Sequence, residues 1–109
     1  MIIEFAKMEE NALPNFKGGE KQYDVKMFVE GNHKIMQGRL IPGASIGLHT
    51  HETDCEVIFL TEGKGKVIDD GQEHAVNAGM ALFCPKDHSH TLINDSDSDL
   101  CFYAAVIEQ

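Results

Sequence analysis

Short apolar runs separated by turn-forming residues make up most of the chain after residue 24. Asp70-Gly71 separates two of these runs and predicts a two-residue hairpin, because both positions tolerate the positive φ that such a turn requires. Runs of strand length at this regular spacing are typical of an antiparallel all-β sandwich or barrel. The runs are Val25–Val29, Lys34–Ile41, Ser45–Thr50, Glu56–Leu60, Gly65–Ile68, His74–Val76, Met80–Cys84, His90–Ile93 and Leu100–Ile107.

Helical patterns are nearly absent, and the only helix candidate is the short Met8–Ala12 region. The run Val57–Leu60 is apolar at consecutive positions, whereas a strand with one face in solvent would alternate. Such strands are expected to face a core on one side and a second sheet or subunit on the other, which makes a homodimer the working hypothesis. With 109 residues and no internal repeat or linker, the chain is expected to form one domain, 1–109.

The composition excludes several classes of partner and location. The formal net charge is −9, and no basic patch is present to neutralise phosphates, so neither nucleic acid nor an anionic membrane is an expected partner. No segment approaches the ~20 apolar residues of a membrane span, and Met1–Phe5 lacks the features of a signal peptide. The three cysteines are odd in number and lack CxxC spacing, which indicates a reduced cytoplasmic protein.

Three histidines and one glutamate form the most distinctive chemical pattern of the chain. His49 and His51 lie two positions apart in a segment without a helix signal. In a strand, residues i and i+2 point to the same face roughly 6.5–7 Å apart, close enough for both side chains to bind one ion. The full set is His49, His51, Glu56 and His90.

The remaining two members of the set are expected on neighbouring strands. Glu56 begins the next apolar run after residues 52–55, which are expected to form a connecting turn. A hairpin of these two strands would carry three of the four side chains, and His90 would come from a strand packed nearby. Three imidazoles and one carboxylate are suitable ligands for iron, manganese, nickel or zinc. The sequence therefore predicts one divalent transition metal ion as a cofactor.

Two longer motifs around these residues resemble those of the cupin superfamily. They read Gly43-x5-His49-x-His51-x4-Glu56-x6-Gly63, over residues 43–63, and Gly79-x5-Pro85-x-Asp87-x2-His90-x3-Asn94, over residues 79–94. Cupins usually carry glycine where Asp87 stands, but aspartate is among the residues that tolerate a left-handed backbone. The two motifs together cover about half of the chain.

The resemblance implies a small single-domain jelly-roll barrel, a double-stranded β-helix, with six to eight strands and a metal inside one mouth. By position in the motifs, the ligands would be His49, His51, Glu56 and His90. Cupins commonly dimerise through their N-terminal strands, which agrees with the apolar pattern on both sides of the strands.

Four protein ligands would leave two positions of an octahedral ion open to a small oxygenated molecule. One hypothesis is an enzyme, either a dioxygenase or an isomerase/lyase, with His88 or Tyr103 as speculative acid–base groups. For His88 the simpler interpretation is a solvated position at the rim, and for Tyr103 it is core packing. The alternative hypothesis is a non-catalytic module that binds a sugar, another metabolite or only the metal.

Overall fold

The computed structural model describes residues 1–109, which form ten strands and two short 3-10 turns, Phe5–Lys7 and Phe16–Gly18. Each of the nine predicted runs corresponds to a strand, so the all-β prediction is confirmed. The strands are β1 (Asn11–Pro14), β2 (Gln22–Glu30), β3 (His33–Leu40), β4 (Ser45–Thr50), β5 (Asp54–Glu62), β6 (Lys64–Asp69), β7 (Gln72–Asn77), β8 (Ala81–Cys84), β9 (Ser89–Ile93) and β10 (Leu100–Glu108).

The strands form two antiparallel sheets of a jelly-roll type. One sheet has six strands in the order β1-β2-β3-β10-β5-β8, and the other has four in the order β4-β9-β6-β7. A cluster of fifteen buried apolar side chains, contributed by both sheets, lies between them. Burial of this cluster is the main stabilising contribution that the alternating strand pattern provides. Neither of the two helical turns is long or apolar enough to cross a membrane.

Two turns adopt the backbone that their residues predict. Asp70 and Gly71 have φ of 48° and 82° and join β6 to β7 as a tight hairpin. Asp87, which stands where cupins usually have glycine, has φ of 71° and keeps the left-handed conformation. The substitution therefore leaves the turn before β9 intact.

The prediction of a helix at Met8–Ala12 is wrong. Asn11–Pro14 is a strand instead, in which Asn11 pairs with Val25 and Pro14 with Gln22. The residue before a proline disfavours the helical conformation, and a helix of five residues is too short to be stable alone. Pairing with β2 provides hydrogen-bond partners for the backbone N–H and C=O groups of this segment. The two sheets contain ten strands rather than six to eight, and three of them, β1, β2 and β3, precede the first motif.

The expected hairpin of β4 and β5 is also wrong. β4 pairs with β9 in the four-stranded sheet, whereas β5 pairs with β10 and β8 in the six-stranded sheet. The chain crosses between the sheets at residues 52–53, and β5 begins at Asp54, within the predicted turn. His49 of β4, His51 just after it and Glu56 of β5 therefore approach each other across the barrel rather than along one ladder.

The apolar run in β5 has one face in the core and one face on the outside. Ile58 is 1% exposed, whereas its neighbour Phe59 is 52% exposed. Phe59 pairs with Tyr103 of β10, and Val57 pairs with Phe83 of β8. The six-stranded sheet therefore carries a partly exposed apolar strip on its outer face, defined here as Val57, Phe59, Phe83, Tyr103 and Ile107. The Phe5 ring lies 5.7 Å from the Tyr103 ring and covers that end of the strip in part.

Candidate metal centre

The four predicted side chains converge at one end of the barrel. His49 lies on β4 directly opposite His90 of β9, His51 follows the end of β4, and Glu56 comes from β5 in the other sheet. One ligand atom from each residue lies within 4.8 Å of the others. His51, Glu56 and His90 are buried and His49 is half-buried. The structure thus brings together all four residues that the sequence singled out.

The distances between these atoms fit a single ion. His90 Nε2 lies 2.9 Å from Glu56 Oε1, 3.0 Å from His51 Nε2 and 3.1 Å from His49 Nε2. Two donors that are each about 2.1 Å from an ion and at right angles to each other stand about 3.0 Å apart. The Glu56 oxygen is 3.2 Å from His51 Nε2 and 3.9 Å from His49 Nε2. These separations are those expected for ligands around one octahedral or distorted tetrahedral centre.

Hydrogen bonds on the far side of two imidazoles orient their Nε2 lone pairs towards the centre. His49 Nδ1 lies 2.7 Å from the Gly47 carbonyl oxygen, and His51 Nδ1 lies 2.5 Å from Asp54 Oδ1. Because a carbonyl and a carboxylate only accept, Nδ1 carries the proton and Nε2 presents its lone pair. Several lone pairs and a carboxylate that converge on one point are stabilised by a cation, so the donor set fits a metal ion.

Glu56 keeps its negative charge at this point. Burial raises the pKa of its carboxyl group, but the contacts with His49, His51 and His90 more than offset this effect. The pKa is therefore held well below its usual value. With three neutral imidazoles and one carboxylate, a divalent ion would leave the centre with a net charge of about +1.

A cavity of about 240 Å³ opens beside the donor set. His49, His51 and Glu56 form one of its walls. Half of the other lining residues are apolar, and half are charged or carry a hydroxyl group; most of the latter are exposed, at the mouth of the cavity. The apolar part consists of Phe16, Tyr23, Met27, Met36, Ile46 and Val106, and the polar part of Lys17, Lys34, Thr50, Glu52, Thr53 and Asp54.

Neither candidate acid–base residue lies in this cavity. Tyr103 is 42% exposed on the outer face of the six-stranded sheet, where its hydroxyl accepts a hydrogen bond from Gln37. Its neighbours Phe102 and Ala104 take the inward positions, so Tyr103 does not face the cavity. His88 is 48% exposed at the rim, and its Nδ1 lies 2.5 Å from Asp70 Oδ2. His88 contributes to the centre only through its carbonyl oxygen, which accepts the His51 N–H.

The sequence reasoning missed three groups of residues at the site. Asp54, which orients His51, fell within a presumed turn. Lys34 lies on the same face of β3 as the buried Met36 and Leu40. A lysine among alternating apolar residues could therefore have indicated a polar group in the cavity. Tyr23 and Lys17 lie more than twenty residues before His49, the first of the four donors, and no local pattern connects them to it.

Comparisons with known proteins agree with the fold and the site. A family model described as a cupin domain matches residues 36–106, which include all four donors. An oxalate-binding protein from Thermotoga maritima is 26% identical over 98% of this chain and 93% of its own. A solved structure described as a predicted oxalate decarboxylase from T. maritima is 25% identical, covers 100% of both chains and has a TM-score of 0.93.

A solved structure with lower sequence identity has the same fold. A cupin 2 conserved barrel domain protein from Salinispora arenicola is 19% identical, with a TM-score of 0.69 over 99% of this chain and 87% of its own. The family match covers well over half of the chain and spans the sheets on both sides of the donor set. On the strength of that match, of the two motifs and of the jelly-roll sheets, the chain belongs to the cupin domain family.

Proposed function

We propose that this protein binds a small organic anion through one divalent transition metal ion, held by His49, His51, Glu56 and His90. The anion would present two adjacent oxygen donors, as oxalate does. The observation that carries this proposal is the convergence of the four donors beside a cavity whose mouth holds two lysines without carboxylate partners. Iron, manganese, nickel and zinc all accept this donor set, so the ion is proposed by class.

The coordination number of the ion supports a ligand with two oxygens. Four protein ligands around an octahedral ion leave two positions for other molecules. A net charge of about +1 at the centre favours an anion over a neutral molecule. An anion that occupies both positions replaces two waters at once, and this gives it an entropic advantage over a ligand with one oxygen.

The charges at the cavity mouth support the same conclusion. The ion pairs of lysine and arginine side chains within 4.0 Å involve Lys7, Arg39 and Lys66, so neither Lys17 nor Lys34 has a carboxylate partner. Lys17 Nζ lies over the Phe16 ring, 5.6 Å from its centroid. Lys17 and Lys34 are two of only nine basic residues in a chain with a net charge of −9. Glu52 and Asp54 also line the mouth, but Asp54 is bonded to His51. Two lysines without carboxylate partners attract a dicarboxylate electrostatically but not a neutral sugar.

The relatives point in the same direction. One is an oxalate-binding protein, and the solved structure with a TM-score of 0.93 is described as a predicted oxalate decarboxylase. Their names support oxalate as the first ligand to test. They also keep an enzyme as the second candidate, either a decarboxylase or another lyase.

The enzyme hypothesis depends on the ion itself. His88 and Tyr103, the acid–base candidates from the sequence, lie outside the cavity. The observation that favours catalysis is therefore the number of donors, because four protein ligands around an octahedral ion would leave two coordination positions open. A bound ion would polarise a ligand there, and a redox-active ion would add dioxygen chemistry.

Calorimetric titration of oxalate into protein loaded separately with Mn²⁺, Fe²⁺, Ni²⁺ and Zn²⁺ tests the proposal. We expect one oxalate per metal-loaded chain, with acetate, which has a single carboxylate, binding at least tenfold more weakly. Absence of oxalate binding with every ion would overturn the proposed function. Release of carbon dioxide, or uptake of oxygen, in the same samples would favour the enzyme over the binding protein.

We propose further that two copies associate through the apolar strip on the outer face of the six-stranded sheet. Phe59 and Phe83 are 52% and 61% exposed there, and the strip carries no charged side chain. Two copies that each carry a net charge of −9 repel one another, so an uncharged face is the surface on which a second copy approaches at least cost. This contact involves β5, β8 and β10 rather than the N-terminal strands. Light scattering should give twice the chain mass of 12.1 kDa, and a single chain mass would contradict the proposal.

The cysteines support a reducing, cytoplasmic location as part of this proposal. All three are free thiols. Burial raises the pKa of Cys84 to about 12 and that of Cys101 to about 11, so both remain protonated at neutral pH. They pack as small apolar groups rather than as reactive thiols. The negative charge supports the exclusion of nucleic acid and anionic membranes as partners.

A further inference from the structure

Tyr23 is held rigidly in the floor of the cavity. It is 2% exposed, and its ring lies 5.4 Å from the ring of Phe16 and 5.8 Å from that of Phe102. Gly38 leaves the space that the ring occupies, because a Cβ at this position would lie 2.7 Å from Tyr23 Cε1. The hydroxyl of Tyr23 therefore has a fixed position among the residues that line the cavity.

The hydroxyl lacks a strong partner within the chain. Its hydrogen-bond partner is the sulfur of Met36 at 3.6 Å, and a thioether is a weak acceptor. Buried tyrosine hydroxyls usually have an oxygen or nitrogen partner, because a buried polar group without one is unfavourable. A phenylalanine would fill the same space without that cost. The hydroxyl is therefore placed to serve a molecule that enters the cavity.

The hydroxyl is a donor at neutral pH. Burial raises the pKa of Tyr23, and the negative charge of Glu56 raises it further. Both residues line the same cavity, so a ligand on the open side of the ion would meet the floor that carries Tyr23.

We propose that the Tyr23 hydroxyl donates a hydrogen bond to an oxygen of the metal-bound anion and thereby selects ligands with a third oxygen. This inference rests on the proposed function. Two oxygens of the ligand occupy the open positions of the ion, and a further acceptor is needed for Tyr23. A dicarboxylate such as oxalate has four oxygens and a 2-oxo acid has three. A catechol or a simple diketone has only two, and it would leave the hydroxyl without its partner.

Ligand affinities of three zinc-loaded forms of the full-length protein test this assignment: wild type, Tyr23→Phe and Tyr103→Phe. Tyr103→Phe is the matched control, because it removes the same hydroxyl from the outer face. We expect equal zinc content in all three. The Kd for oxalate should rise about tenfold to hundredfold in Tyr23→Phe, the range for hydrogen bonds to charged groups, and stay unchanged in Tyr103→Phe. The Kd for acetylacetone, which has two oxygens, should change by less than threefold in either variant.

A spectroscopic measurement does not depend on the folding of Tyr23→Phe. The chain has two tyrosines and no tryptophan, so in Tyr103→Phe the near-ultraviolet absorption of tyrosine reports Tyr23 alone. Zinc has a filled d shell and adds no absorption band. Oxalate should shift the Tyr23 band in this variant at the concentration at which it binds, because the hydroxyl exchanges a sulfur partner for a carboxylate.

The outcomes separate the two proposals. An unshifted Tyr23 band on oxalate binding, or equal oxalate affinity of Tyr23→Phe and wild type, would overturn the role of Tyr23 and leave the proposed function standing. If wild type binds no oxalate with any of the four ions, both proposals fall. A lower affinity of Tyr23→Phe for oxalate and acetylacetone alike would show that the residue shapes the cavity without selecting a third oxygen, and would also contradict the assignment.

Discussion

Removal of the Asp54 carboxylate should weaken metal binding although Asp54 is not itself one of the four donors. Its Oδ1 atom lies 2.5 Å from His51 Nδ1, and His51 is nearly fully buried. Asp54→Ala would free the His51 ring to rotate or to move its proton to Nε2, where the lone pair is needed. Loss of such an orienting partner typically lowers metal affinity about 10- to 100-fold, or about 1.4–2.7 kcal/mol.

Two variants separate the orienting role of Asp54 from its charge. Asp54→Asn keeps an oxygen acceptor for the His51 N–H and should retain more affinity than Asp54→Ala. Glu52→Ala removes a neighbouring carboxylate that lines the same cavity and makes no hydrogen bond to a donor histidine, so it should change the Kd by less than threefold. The Glu52 variant therefore reports the loss of charge alone.

Competition against a chromophoric zinc chelator gives the Kd of each variant at one fixed pH. The reasoning is refuted if Asp54→Ala binds zinc as tightly as wild type. It is also refuted if Glu52→Ala weakens binding as much as Asp54→Ala, because the effect would then come from charge rather than from orientation. Circular dichroism of each variant should show that the strands are retained.

Three further predictions concern a ligand, the cavity mouth and the closure of the barrel. His51→Ala should lose most of the bound metal by elemental analysis, and full occupancy would contradict the assigned set. Lys34→Met should weaken oxalate binding and reduce its dependence on salt, measured by calorimetry at two ionic strengths, whereas the exposed Lys64→Met should do neither. Gly47→Ala places a Cβ 2.1 Å from the backbone oxygen of Lys17 and should destabilise the fold by about 1–3 kcal/mol while displacing the segment that borders the cavity. A thermal midpoint within 1 °C of wild type would contradict that contact.

The positions of the strands were predictable because their signals are local. Apolar runs and turn residues located nine of the ten strands, and the positive φ of Asp70, Gly71 and Asp87 followed from residue type. The sequence was misleading where a local preference was weak. At Met8–Ala12 a few helix-forming residues were outweighed by the pairing of β1 with β2, which satisfies the backbone over a longer segment.

The pairing of the strands could be predicted less well from the sequence. The adjacency of β4 and β5 in the chain suggested a hairpin, but the pairing of β5 with β10 and β8 places them in different sheets. The register of β10 against β5 also shifts between Cys101 and Phe102, just before Tyr103. The extra residue is Thr61 of β5, whereas β10 itself alternates regularly. The face of Tyr103 therefore depends on which set of β10 residues points into the core, and the packing of the two sheets decides that.

By itself the sequence determined the strand rhythm, the turns and the four donors, because alternation, turn chemistry and metal affinity are properties of a few neighbouring residues. The tertiary structure decided what surrounds the donors. It joined Tyr23 of β2 and Lys34 of β3 to His49, His51 and Glu56 in one cavity. It also placed Asp54 behind His51 and excluded Tyr103 and His88 from the cavity. These placements depend on which sheet each strand joins, and that choice is made by the packing of the whole core between the two sheets. No short segment contains that information.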